Sequence, residues 1–169
     1  IQNNFEFQIV IENTSGVLTD FQMNNLTVSN TGASGVIGNL VTFVAYGTAT
    51  MTLNTVGGTY TGAAPLTATG IHADHSGTDG LVTANISNAS FINNNVAVSV
   101  SNAIGGNLAF DVNGNTATGN RSHGLNLFIA ANAIGSVNGK FRNNTVGTLG
   151  TTGSGSSLAY GIRVQNEGS

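Results

Sequence analysis

The densest group of side chains able to do chemistry lies in one short stretch, His72-Ala73-Asp74-His75-Ser76-Gly77-Thr78-Asp79-Gly80. Two imidazoles and two carboxylates at this spacing could ligate a divalent cation or pair as base and acid. Alternate residues of an extended chain share a face. His72 and Asp74 therefore point one way, and His75 joins them only if the chain turns at Ser76-Gly77. Asp and Gly are also what a hydrated turn needs, and that plainer reading is preferred. The next carboxylate is Asp111, with Arg121 and His123 beyond it. A glycosidase requires two carboxyls roughly 5–9.5 Å apart; Asp74 or Asp79 meets Asp111 only if successive turns of a repeating structure align them. Calcium asks for six to eight oxygens, and the glycine-rich β-roll repeat that supplies them is missing, Gly77-Thr78-Asp79-Gly80 being a fragment of it. His72, Asp74, His75 and Asp79 are thus the metal candidates, and Asp74, His75, Asp79 and Asp111 the catalytic ones. The expectation is nevertheless of no catalytic residue, no bound metal and no cofactor.

Composition supports that expectation. Charged residues are 7% of the 169, against about a quarter in an ordinary globular domain. Four Lys and Arg cannot neutralise a nucleic-acid backbone, and no apolar run is long enough for a membrane-spanning helix. There is no cysteine, so no disulfide and no thiolate chemistry. Half the chain is Gly, Asn, Thr and Ser. Leu, Ile, Val and Phe still exceed the roughly 20% share below which chains tend to stay disordered, so a core can form. Low Lys with abundant Asn, Thr and Ser points to a secreted or cell-surface protein. The chain opens on Ile1, which is expected of a mature or excised segment, and both ends read as cuts through a longer solenoid or as surfaces that stack on a partner.

Repeats set the organisation. Asn102-Ala103-Ile104-Gly105 recurs as Asn132-Ala133-Ile134-Gly135, and the stretch from Met51 to Gly62 matches that from Leu108 to Gly119 in its Gly and Thr positions. A first anchor per unit falls on Phe21, Leu53, Phe91, Phe110 and Phe141, followed by Asn-rich turns. A second falls on Gly35-Val36, Gly70-Ile71, Gly124-Leu125 and Gly161-Ile162, with Val96-Ala97-Val98 taking its place in the third unit. The interval from Phe91 to Phe110 is much the shortest and breaks the spacing of the rest. The apolar segments are short, β-branched and of period two, which is a strand signature. Helix is not expected.

Such units fit an all-β coil, a parallel β-helix in which strands stack about 4.8 Å apart. Alternate residues fill a thin core, and Asn occupies the corners because it tolerates left-handed backbone and can stack in amide ladders. At roughly 30 residues per turn, a period typical of solenoids, the length gives five to six turns. Residues 1–20 read as an N-terminal strand, first rung or edge strand, with Phe5, Phe7, Ile9 and Ile11 alternating; residues 21–169 form one elongated repeat region.

The segments Phe91-Ile92-Asn93-Asn94-Asn95, Phe141-Arg142-Asn143-Asn144-Thr145-Val146 and Gly161-Ile162-Arg163-Val164 resemble right-handed parallel β-helix repeat proteins of the bacterial adhesin and autotransporter-passenger type. The resemblance implies a structural or adhesive protein: a stiff extracellular scaffold that self-associates end to end into homo-oligomers or filaments, with a host surface or glycan as a ligand of loops 62–69, 73–80 and 151–157. Polysaccharide lyases share the architecture, so a carbohydrate-active enzyme using Asp74, His75, Asp79 and Asp111 is the alternative. Thr-x-Thr pairs at 48/50/52, 59/61, 67/69 and 116/118 resemble the arrays of ice-binding β-helices, but the units of Phe91 and Phe141 are expected to interrupt them. Thr on an outward strand face is the simpler account.

Overall fold

The computed structural model describes residues 1, 8–30, 38–62 and 67–168. These form a parallel β-solenoid with no helix. Each turn of the coil contributes one strand to each of three sheets. The first sheet runs β1 (Ile9–Asn13), β4 (Val41–Gly47), β7 (Thr69–Gly77), β10 (Val96–Asn102), β13 (His123–Ile129) and β16 (Ile162–Asn166). The second contains β2 (Val17–Asn24), β5 (Thr50–Val56), β8 (Leu81–Ser87), β11 (Asn107–Asn113) and β14 (Val137–Arg142). The third contains the short β3 (Thr27–Ser29), β6 (Thr59–Thr61), β9 (Ser90–Ile92), β12 (Thr116–Thr118) and β15 (Thr145–Val146). Five pairing steps separate β1 from β16 in the first sheet and four separate the outermost strands of each other sheet, about four turns where five to six were expected, because some turns are long. The pairings of Ile9 with Val41 and of Leu125 with Ile162 each span more chain than that of His72 with Ser99.

Most of the extra residues collect at one corner, with a smaller excess between Ile129 and Val137. The chain crosses from third sheet to first in the few residues between Ile92 and Val96 or Thr118 and His123, but takes a longer path from Ser29 to Val41, Thr61 to Thr69 and Val146 to Ile162. The second anchor set is in register: Ile71, Val98, Leu125 and Ile162 lie in one inward column. In the preceding turn the column holds Val41; Val36 lies outside the described residues, as do Phe5 and Phe7. The first anchor set needs correction. Phe21, Leu53, Ala84, Phe110 and Gly139 share a column of the second sheet, while Phe91 belongs to the third sheet between Tyr60 and Ala117. Phe141 pairs with Val112, one inward position further along.

Core volume explains this shift. The coil is thin, and neighbouring levels place their ring in different sheets: Ala84 goes with Phe91 in one turn, and Phe110 with Ala117 in the next. Tyr60 and Phe91 stack with centroids 5.1 Å apart, and Phe110 meets Phe141 at 5.0 Å. Gly139 lies directly over Phe110, whose ring fills the place that a Cβ would take there. The short interval from Phe91 to Phe110 is therefore a change of sheet, with no loss of register.

The corner between second and third sheets is left-handed in every turn. Asn25, Gly57, Asn88, Gly114 and Asn143 have φ of 53°, 67°, 55°, 67° and 55°. Asn and Gly alternate for a steric reason. The Asn25 and Asn88 amides occupy the space of the following turn, so a Cβ at Gly57 or Gly114 would collide with the Oδ1 beneath it. The next corner residue supplies the ladder: Asn115 Oδ1 accepts the Ala89 amide at 2.9 Å, and Asn144 Oδ1 accepts that of Asn115 at 2.9 Å. Gly114→Ala must take a left-handed conformation and displace an amide, so it should cost about 1–2 kcal/mol or more. Asn88→Gly should cost less than about 1 kcal/mol. Urea midpoints of the two variants check the ordering.

Candidate functional site

The polar cluster nearest to chemistry lies on the outward face of the first sheet. Inward residues of β7 are Ile71, Ala73 and His75; outward ones are His72, Asp74 and Ser76. Register puts His72 beside Ser99 and Asp74 beside Ser101. Ser101 Oγ donates to Asp74 Oδ1 at 2.5 Å and lies 3.2 Å from His72 Nε2. The Ser76 hydroxyl donates to the other carboxylate oxygen. Because the Ser101 proton goes to Asp74, the His72 contact requires the proton on Nε2, a neutral imidazole donating to Ser101. Burial holds His72 below its ordinary value, and the Asp74 charge opposes that only in part. Asn126 Nδ2 extends the row to Ser99 Oγ at 3.1 Å.

Chemically this differs from an acyl-transfer triad, where the carboxylate orients the far nitrogen of the histidine and leaves the serine hydroxyl to the base. Here Asp74 binds the serine itself, and both of its oxygens are occupied. Asp74 is 8% exposed; buried carboxylates require such donors.

The other candidates are dispersed. His75 points into the core and is fully buried. Its Nδ1 accepts the Gly77 amide at 3.2 Å, so Nε2 carries the proton, without a partner. The ring fills the space over Gly106 and leaves no room for a Cβ there. Asp79 sits at the corner after β7, its Oδ1 accepting the Gly80 amide at 2.8 Å. Asp111 faces outward on the second sheet in a bidentate pair with Arg142 at 2.6 and 2.8 Å, which holds its carboxyl below the usual range. Arg121 is an exposed corner residue, and His123 stacks on Tyr160 with centroids 5.8 Å apart. The structure thus brings together His72 and Asp74, adds Ser76 and Ser101, and separates His75, Asp79 and Asp111 from them. Among the described residues, no three of His, Cys, Asp or Glu converge as a metal site. Ser101 was missed because its turn is shorter than the average repeat, which shifts the residue that meets Asp74.

Loop 73–80 is mostly strand, since β7 extends to Gly77. The hydroxyl array is also more regular than the sequence suggests. Thr27, Thr59, Ser90, Thr116 and Thr145 form one column of the third sheet, with Ser29, Thr61, Ile92 and Thr118 beside it. The units of Phe91 and Phe141 do contribute, through Ser90 and Thr145. No family model, curated protein or solved structure matches the chain.

Two outcomes follow from the histidines and the serine. Burial lowers His72, His75 and His123, the last also through repulsion by Arg163. The unfolded chain takes up these protons near pH 6.5, and the folded chain only at lower pH. Stability should be full above about pH 6.5 and fall as pH drops through that value towards the lowered folded ones. A urea midpoint at pH 5.5 equal to that at pH 7.5 would contradict this. Ser101→Ala leaves Asp74 Oδ1 short of a donor and should cost about 1–3 kcal/mol, measured by the same unfolding curves at neutral pH.

Proposed function

We propose that the chain is a structural element of a secreted or cell-surface protein, a stiff adhesive scaffold of the β-helix kind. The observation that carries this reading is the separation of ladder from loops. The three parallel sheets run without a break in register apart from one bulge between Leu18 and Phe21, while most of the length variation falls at the corner between third and first sheets, with a smaller share at the corner between Ile129 and Val137. A scaffold is what such a division serves. Backbone bonds along the axis, about one strand per 4.8 Å, make a rod of roughly 20–25 Å. The segment between Val146 and Ile162, rich in Thr, Ser and Gly and lining a shallow concavity with Thr145 and Gly161, is the natural contact for a host-surface glycan. Repetition of weak contacts along a stiff rod raises avidity without any tight single site.

A second reading rests on the hydroxyl column of the third sheet, which would order a water layer as ice-binding β-helices do. Thermal hysteresis in solution tests it directly, and Ile92 is the interruption that weakens it.

The scaffold reading predicts that limited proteolysis cuts first between Val146 and Ile162 and leaves β4 to β13 intact at protease levels that digest ordinary domains. It also predicts no depolymerisation of acidic or neutral glycans. A depolymerising activity abolished by Asp74→Ala would replace it with the enzyme reading.

A further inference from the structure

Six Asn-x-Ser/Thr triplets, the acceptor pattern for asparagine-linked sugars, start at Asn13, Asn25, Asn85, Asn88, Asn120 and Asn143. In a chain so rich in Asn, Thr and Ser the pattern arises readily from composition, and the fold sorts its copies. Asn120 is fully buried, its Nδ2 donating to Gly155 O at 3.2 Å. Asn85 lies within β8, and its Nδ2 donates to Asn54 Oδ1 at 2.9 Å. The Asn13 Nδ2 donates to the carbonyls of Gly16 and Thr50 at 3.4 and 3.3 Å, and that of Asn143 to Asn113 Oδ1 at 3.0 Å. Asn25 and Asn88 differ from these. Both are exposed, and neither side-chain nitrogen has a hydrogen-bond partner among the described residues.

We infer that Asn25 and Asn88 are glycan acceptors, a modification that rests on the secreted or cell-surface setting of the scaffold reading. The donor is a sugar activated at C1 as a diphosphate ester, carried on a lipid or a nucleotide. The Nδ2–C1 bond forms as the bond from C1 to the diphosphate oxygen breaks. The diphosphate leaves with the electron pair, and one Nδ2 proton passes to a base of the transferase. No electron is gained or lost overall. Three features select these two residues. Both sit at the left-handed corner between second and third sheets, with φ of 53° and 55°, and the hydroxyl each triplet requires comes from Thr27 or Ser90 in one outward column of the third sheet. Amide and hydroxyl are thus held in the same relation in both turns.

The second feature is the packing of the amide. Oδ1 of Asn25 and of Asn88 lies against Gly57 and Gly114 of the following turn, and the two amide heteroatoms diverge from Cγ, so Nδ2 is left for solvent. The third is spacing. The alternation of Asn with Gly that this packing imposes sets the acceptors two turns apart, roughly 10 Å, and the turn between them presents Gly57-Gly58, with no side chain to crowd a sugar. Whether the sugar is added before or after folding, only a corner that leaves Nδ2 free can carry it in the folded chain.

Two preparations test the proposal. In one, the chain passes through the secretory pathway of a eukaryotic cell, where the donor is a lipid diphosphate oligosaccharide. In the other, the folded chain is incubated with a soluble asparagine glycosyltransferase and a nucleotide diphosphate hexose. Peptide mass spectrometry locates any added sugar. The expected result is sugar on Asn25 and Asn88 in most molecules of at least one preparation, with Asn85 and Asn120 bare; the preparation that carries it identifies the donor. Asn25→Gly and Asn88→Gly, each placing at the corner the residue that neighbouring turns already use, should each lose one sugar. Ser90→Ala should lose that of Asn88 with the corner intact. Circular dichroism confirms that each variant is folded. Absence of sugar from both residues in both preparations, or occupancy of Asn85 and Asn120 equal to that of Asn88, would overturn the assignment. Protease resistance of the unmodified chain tests the scaffold separately: a resistant chain that takes no sugar defeats only the acceptor sites, and a chain cut within its strands defeats the scaffold.

Discussion

Everything in this fold depends on parallel backbone pairing between residues one turn apart. The side-chain period of a strand is two, so a shift of one residue would turn the whole inward set to solvent. Each strand must therefore meet its predecessor in register, and any change in turn length must be absorbed where no ladder exists. The corner between first and second sheets absorbs a little of it, between Ile129 and Val137, and the corner between third and first sheets absorbs most. It takes the long segments before β4, β7 and β16, whereas the corner between second and third sheets keeps one conformation throughout, because the short strands after it leave no slack.

The same constraint governs the core. A narrow interior stacked at strand spacing has room for few rings, so bulk added in one column is removed from another. Tyr60 and Phe91 stack in the third sheet, Phe110 occupies the second, and Ala84, Ala117 and Gly139 mark where volume was given up. The corners repeat this exchange at smaller scale, with an Asn amide in one turn obliging a Gly in the next. Buried polar groups follow from stacking as well. Ser101 reaches Asp74 and His72 because a neighbouring turn brings it there, and Asn115 caps a backbone amide of the turn before.

Scarcity of charge takes on meaning in this setting. The four basic residues all lie from Arg121 onward, and Glu12 and Asp20 lie in the first rung. In a globular domain such an imbalance would be diffuse; in a coil, position along the chain is position along the axis. The outcome is an uneven distribution of charge along the axis, between nearly neutral flanks of Thr, Ser and Asn.

Period-two apolar segments, Asn and Gly punctuation and a recurring unit determined the fold class, the absence of helix and the left-handed corners, because these are local properties of strands and turns. The column of Ile71, Val98, Leu125 and Ile162 was readable for the same reason. Tertiary structure alone decided which turn stacks on which residue. Phe91 and Phe110 are equivalent to any reading of hydrophobicity, and Ala84 is invisible to it, since a small residue fills an anchor position only where a neighbouring ring makes room. His72, Asp74, His75 and Asp79 were visible as a cluster, but alternation sent His75 into the core and the corner carried Asp79 away. Ser101 entered from the next turn downstream, through a register that depends on the length of a particular corner and so on the packing of the whole coil.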